Sequence, residues 1–275
     1  MSAVKTTPSL RIVSLAPSAT SILCALGAKK TLVGVTKWCA DVAPVSDLPK
    51  LGDCWHLESV DKIQRLKPTL VVGSVPYKQE TVVKLLEHPL NFLAMNPRSL
   101  ADVYADIRML GGIVGRPKSA EALVRKMQRE FASIASKSRN GAAGLRVYCE
   151  AWPNPRISSP PWVAELVSLC GGQLVVPAGE RVNEKQVAAS KADAIVLAWA
   201  ATGDRANPDK AYKIPEWREV PAIRNRRVYV IRDEFLNTPG PPLVQGAREL
   251  WKLLHEKARN KDNAEPQRTR RFVER

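Results

Sequence analysis

The sequence predicts an α/β protein built as two similar lobes, each with a central parallel-type sheet flanked by helices, joined by one long helix. Three observations lead there. Short β-branched runs alternate with amphipathic helical patterns, the signature of crossover connections in a parallel sheet. The chain has 275 residues and is 45% hydrophobic, which is long enough to outgrow one core. Between two alternating halves lies the longest uninterrupted helical pattern, "RPKSAEALVRKMQREFASIASKSR".

The first half opens with a strand over Ile12 to Leu15, then Ala16-Pro17-Ser18 lead into a helix carrying Ile22, Leu23 and Leu26 and closed by Gly27. This junction has no glycine before Gly27, so it lacks the turn that wraps a phosphate in many α/β proteins. "TLVGVT" (31–36) reads as a second strand, and "WCADVAPVSDLPKLGDCWH" as a long loop, a kind of segment that often carries function. "LESVDKIQRLKPTLVVGS" gives a helix with Val60, Ile63 and Leu66 on one face and then a strand at Leu70 to Val72. "ETVVKLLEHP" is a helix, "LNFLAM" a strand, and "SLADVYADIRMLGGIVG" a helix ending at Gly111-Gly112. The long helix then places Leu123, Met127, Phe131 and Ile134 at heptad-like spacing. Alternation resumes with strand "LRVYCEA", helices "WVAELVSLCGG" and "NEKQVAAS", strands "DAIVLAW" and "RVYVI", and closing helix "VQGARELWKLLHE". The second half is expected to repeat the first. The boundaries are a first lobe at 11–115, a bridging helix at 116–140, a second lobe at 145–256, and a basic tail at 257–275 expected to be disordered.

Composition narrows the function classes. The formal net charge is +15, but Lys and Arg are spread over several segments with acids interleaved in most of them, so no basic stripe argues for nucleic acid. No apolar run approaches the roughly eighteen residues that span a bilayer, and "MSAVKTTPSL" lacks the apolar centre of a secretion signal. As written, a cytoplasmic protein is expected, periplasmic or cell-surface if an export signal lies upstream. Five cysteines at 24, 39, 54, 149 and 170 form no CxxC pair and read as reduced thiols. Of three histidines only His56 lies in the aromatic loop, near Asp53, Cys54 and Glu58; a transition metal could use that set, with Cys54 and His56 as its softer donors, but the spacing matches no zinc pattern. GxSxG, HExxH, Walker A and GxGxxG are all missing, which favours a binding protein with no catalytic cofactor. Trp38, Trp55, Trp152, Trp162 and Trp199 all fall in loops or at strand ends, where an α/β sheet places its ligand, whereas Trp251 has core-like spacing. Large flat apolar faces suit a large flat ligand.

Five segments carry a resemblance: "RIVSLAPSATSILCALG", "LVGVTKWC", "LPKLGDCWHLESVDKIQRLKPTLVVGS", "VYCEAWPNPRISSPPWVAELVSLCGG" and "VYVIRDEFLNTPGPPLVQGARELWKLLH". Together they resemble the helical-backbone (class III) substrate-binding proteins of ABC transporters for cobalamin, haem and iron-siderophores, nearest the cobalamin-binding branch. The resemblance implies a monomeric two-lobed binder with the ligand, cobalamin or a related corrinoid, in the cleft between lobes. It implies that Pro17 and Ser18 form a cleft wall, that Trp55, six residues before Asp61, packs on the corrin, and that Trp38 and Trp152 occupy further aromatic positions. Asp233 or Glu234 would accept hydrogen bonds from the ligand. Docking to an ABC permease would use an acid on each lobe: the matching position is Asp61 on the first lobe, and on the second it is Lys185, with the acid Glu184 one residue earlier.

Two alternatives belong beside this reading. The same fold could bind haem or a ferric siderophore, with Arg156 and Arg181 pairing with carboxylates or catecholates. An enzyme acting on a corrinoid or metal chelate would use Cys39, Cys54 or His56 on the metal.

Overall fold

A computed structural model describes residues 9–138 and 144–255; the expected tail at 257–275 lies outside the described residues. The elements run β1 (Ile12–Ser14), α1 (Pro17–Ala25), β2 (Leu32–Thr36), β3 (Lys50–Leu51), α2 (Val60–Arg65), β4 (Leu70–Ser74), α3 (Gln79–Leu86), β5 (Phe92–Met95), α4 (Leu100–Ile113) and α5 (Pro117–Ser138). They continue with β6 (Leu145–Pro153), β7 (Arg156–Ser158), α6 (Trp162–Leu169), β8 (Gly172–Leu174), α7 (Glu184–Ala189), β9 (Ala194–Leu197), α8 (Asp209–Tyr212), α9 (Pro221–Arg224), β10 (Val228–Val230), α10 (Asp233–Asn237) and α11 (Leu243–His255).

The first sheet has the order β3-β2-β1-β4-β5 and is parallel throughout. Its central strand β1 is buried along its whole length, as expected of a strand with helices on both faces. The loop read at 38–56 is more ordered than its composition suggested: it starts with a 3₁₀ turn over Lys37–Asp41 and contributes β3 as an edge strand. The second sheet departs from simple repetition. Its order is β10-β9-β6-β7, with β8 also on β6, and β7 runs antiparallel because "PNP" turns the chain straight back on itself. Sequence alternation could not reveal a three-residue return strand.

Helix starts follow the usual capping chemistry. Ser59 and Ser99 accept from the backbone N–H groups of Asp61 and Asp102, and Asn183 with Gln186 forms a complete capping box at α7. The expected end of α4 at Gly111-Gly112 is displaced. The helix continues to Ile113, because Gly111 lies where α4 crosses α5: a Cβ there would stand 2.4 Å from the Cβ of Ala120. The glycine permits a close helix crossing and does not stop the helix.

Helix α5 buries Ala120, Val124, Met127, Phe131 and Ile134 along one stripe. It packs on α4 from the first half and on α6 and α11 from the second. One apolar cluster consequently runs from Ile12 and Ile22 through Met127 and Phe131 to Leu166 and Leu250. The two sheets are thus fastened to a shared core.

Candidate functional site

The residues singled out in the sequence collect after the C-terminal ends of parallel strands: Pro17 after β1, Trp38 after β2, Trp152 at the end of β6, Trp199 after β9, and Asp233 and Glu234 after β10. This is where open α/β sheets leave a crevice for ligands.

In the first lobe the β1–α1 junction is braced from behind by side chains. Thr20 Oγ1 lies 2.8 Å from Ser14 Oγ and 3.0 Å from Cys39 Sγ, Thr36 Oγ1 lies 3.2 Å from the same sulfur, and Ser14 Oγ donates to Ala16 O. These buried contacts fix the junction to the 3₁₀ turn that carries Trp38, whose half-buried ring has Lys37 Nζ 4.4 Å from its centroid. Pro17 is partly exposed, but Ser18 is only 2% exposed and its hydroxyl has no partner among the described residues. Ser18 is therefore not an open wall: Ser21, about one turn further along the same helix face, meets Gly240 of the second lobe, where a Cβ would come within 3.1 Å of Ser21 Oγ.

Trp55 is 50% exposed. A tight turn presents it: Asp53 Oδ1 accepts from the backbone N–H groups of Trp55 and His56 at 2.9 and 2.7 Å, and Asp53 N–H donates to His56 O. Cys54, one residue before, points the other way into the core, where burial pushes its thiol up to about 12. Burial also raises the Cys39 thiol. His56 is exposed, and among the described residues no three His, Cys, Asp or Glu side chains gather as a metal set. The chain thus turns Cys54 into the core and leaves His56 at the surface.

In the second lobe Trp152 is 40% exposed, with Nε1–H donating to Asn154 O at 2.8 Å. Trp162 and Trp199, grouped with it by sequence position, are instead core residues: their Nε1–H groups donate to Leu236 O and to Glu150 Oε1, both at 2.8 Å. Glu150 is fully buried and also accepts from Tyr148 Oη at 2.7 Å and from Arg156 Nη1. Arg156 stacks over Trp217 at 4.5 Å and donates through Nη2 to Glu184 Oε1 at 3.3 Å. Arg156 is therefore committed inside the lobe and unavailable to an anionic ligand, unlike the exposed Arg181. Sequence reasoning missed Glu150. The signal was present, since the turn "PNP" between Glu150 and Arg156 brings an acid and a base onto adjacent strands.

Asp233 accepts from Ala201 N–H at 3.0 Å and Gly203 N–H at 2.7 Å, and burial holds its pKa above the ordinary value. Glu234 is 6% exposed and paired with Arg232 Nε. Both acids thus work within the lobe: Asp233 clamps the loop after β9, in which Ala201 has φ +64°, and Glu234 anchors Arg232. The Glu234 hydrogen bond, with the nearby charges of Asp204 and of Asp41 from the first lobe, raises the Arg232 pKa.

The expected docking acids lie on short helices. Asp61 is exposed in the first turn of α2, beside a cavity of about 230 Å³ lined by Glu58, Lys84 and His88 among others. Glu184 opens α7 half-exposed, with the exposed Lys185 next to it. Its carboxyl pKa is lowered by its own backbone N–H and by Arg156.

Comparison with known proteins agrees with this fold. The family profile described as "Periplasmic binding protein" matches residues 12–235. The uncharacterized ABC transporter substrate-binding lipoprotein YvrC of Bacillus subtilis (strain 168) is 27% identical over 257 residues, covering 89% of this chain and 80% of its own. A vitamin B12-binding protein of Pectobacterium carotovorum is 25% identical over 257 residues, covering 89% and 88%. Among solved structures, the apo form of the periplasmic heme-binding protein RhuT from Roseiflexus sp. RS-1 superposes with a TM-score of 0.75 at 25% identity, covering 91% of this chain and 99% of that one.

Proposed function

We propose, from the premise that this chain belongs to the periplasmic binding protein family and is a substrate-binding protein of the ABC uptake type, that its ligand is cobalamin or a related corrinoid. The observation that carries the reading is the pair of exposed indoles, Trp55 on one lobe, in a turn whose backbone Asp53 holds, and Trp152 on the other, whose Nε1–H donates to Asn154 O. An exposed tryptophan held in place is a ready stacking surface for a broad, flat, partly apolar ligand. Of Arg156 and Arg181, the two cations offered to an anionic chelate, Arg181 alone is exposed. Arg156 is consumed by Glu150 and Glu184, and Arg232 has Glu234, Asp204 and Asp41 about it. The vitamin B12-binding relative supports the same ligand class.

The further roles follow as parts of this proposal. Trp55, Trp38 and Trp152 stack, Pro17 borders the cleft, and Asp233 and Glu234 shape its far edge indirectly through the loop after β9 and through Arg232. An ABC permease is the partner, met through Asp61 and Glu184. Among the described residues no helix is long and apolar enough to cross a membrane. The lipoprotein relative supports the periplasmic or cell-surface location over the cytoplasmic one. The role is binding, without a catalytic cofactor.

The test is titration of purified protein with hydroxocobalamin, read by tryptophan quenching and the visible corrin bands, with hemin in parallel. Saturable micromolar or tighter corrinoid binding is expected. Tight hemin binding without corrinoid binding would replace this ligand with haem, the reading that the heme-binding structural neighbour favours.

A further inference from the structure

A cavity of about 380 Å³ opens at the edge of the second sheet, lined by Asp209, Tyr212, Lys213, Ile223, Arg224 and Arg226. β10 is the edge strand of that sheet and runs parallel to β9, and Arg226 stands just before β10 begins. The cavity thus lies by the amino end of β10, whereas Asp233 and Glu234 follow its carboxyl end, so it is separate from the cleft. Its walls divide by chemistry. Lys213, Arg224 and Arg226, all exposed, set three cations against the single carboxylate of Asp209, while the Tyr212 ring and Ile223 supply an apolar side. Arg224 is held loosely: its Nη1 is 3.9 Å from Glu219 Oε2, and Glu219 is also 3.3 Å from Arg218 Nε.

The backbone supports a role for the Arg226 side chain. Arg226 N–H donates to Ile223 O at 3.2 Å and Arg227 N–H donates to Ala222 O at 2.7 Å, the two bonds of a Schellman turn that closes α9. Arg226 takes the left-handed position of this turn, with φ +52°, which glycine adopts freely and a side-chain-bearing residue adopts at a cost. What the arginine supplies there is a guanidinium beside the cavity's tyrosine, with Cζ 5.9 Å from the Tyr212 ring centroid.

We propose that this cavity binds an organic phosphate monoester, with the phosphoryl oxygens on Arg224, Arg226 and Lys213 and the organic part against Tyr212 and Ile223. Guanidinium groups hold phosphate oxygens through paired, charge-assisted hydrogen bonds, and an ammonium adds a point charge. The volume is in the range of small-molecule sites, which leaves room for a carrier beyond the phosphate group itself. The site stands whether or not the cleft takes a corrinoid.

The test uses the full chain labelled with 3-fluorotyrosine, with the Tyr212 fluorine resonance assigned through Tyr212→Phe. Phenyl phosphate is expected to shift that resonance saturably, and phenol at the same concentrations to leave it in place. Arg226→Gly suits the left-handed backbone, so it should melt at or above the wild-type temperature while weakening phenyl phosphate binding about tenfold or more, the worth of one charge-assisted hydrogen bond. Arg129→Gln, which removes an exposed cation from α5, should leave the affinity unchanged. No saturable shift, an equal shift with phenol, or an equal loss of affinity in R129Q and R226G overturns the proposal. A lipid headgroup can present the same chemistry as a free monoester. Co-sedimentation with phosphatidylcholine vesicles that requires phosphatidic acid and is abolished in R226G assigns the phosphate to a lipid; a saturable shift without such co-sedimentation assigns it to a free monoester.

Discussion

Replacing Glu150 with alanine strands three donors at once. Tyr148 Oη, Trp199 Nε1–H and Arg156 Nη1 all end on that one carboxylate, in a place without solvent access. The two neutral donors would each lose a buried hydrogen bond, but the stranded guanidinium dominates. Its remaining acceptor, Glu184, lies at 3.3 Å and is half exposed, so it compensates weakly. Breaking one side of a buried ion pair costs about 3–5 kcal/mol, and E150A is expected in that range by urea denaturation followed through tryptophan fluorescence. The companion variant Glu150→Leu/Arg156→Met removes both charges and should recover most of the loss, because an apolar pair needs no counter-ion. A loss below about 1 kcal/mol for E150A would refute the reasoning, since it would mean that water reaches the guanidinium freely. So would a double variant as unstable as E150A.

Three further outcomes are expected. Trp55→Ala should weaken corrinoid affinity by about 1–3 kcal/mol, roughly 5- to 150-fold, in the fluorescence titration, and unchanged affinity would remove Trp55 from the site. Asp106, on α4, has its carboxyl pushed up to about 6 by burial and by Asp102. The folded state then binds more protons than the unfolded chain between about pH 4 and pH 6, so the stability this group contributes is present at low pH and is lost as pH rises through 6. Asp106→Asn should therefore melt above wild type at pH 7.5, with the difference closing by pH 4. Gly111→Ala should cost about 1–3 kcal/mol through the clash with Ala120, whereas Gly112→Ala, which has nothing within 4 Å of its new methyl group, should be neutral or stabilising by up to about 1 kcal/mol.

Much of the fold was legible because its elements repeat at helical and strand periods. Burial of Ile12 to Ser14, the capping of α2 and α4 by serine, and the single apolar stripe of α5 each follow from local residue chemistry. What escaped were consequences of long-range packing. Gly111 looks like a helix terminator until Ala120 is brought against it, and β7 is too short to show a period. The same holds in the site. Trp55 and Trp152 are exposed, in keeping with a loop and a strand-end position, but nothing local tells Trp199 from them. Its burial depends on Glu150, 49 residues earlier in the chain, accepting from its indole. Asp233 reads as a free acceptor because its partners, the Ala201 and Gly203 N–H groups, are visible only once β9 and β10 lie side by side, whereas Arg232, the partner of Glu234, lies only two residues before it.

The apolar cluster that runs unbroken from β1 through α5 to α11 has a kinetic consequence. With both lobes rooted in one close-packed interior, separating them by a large rotation would break that interior. The distance between the two indole-bearing loops is then largely set before a ligand arrives, and no major fraction of molecules has to wait for a rare competent shape. Ligands of similar size should therefore associate at similar rates, and the protein should tell them apart by how long each one stays.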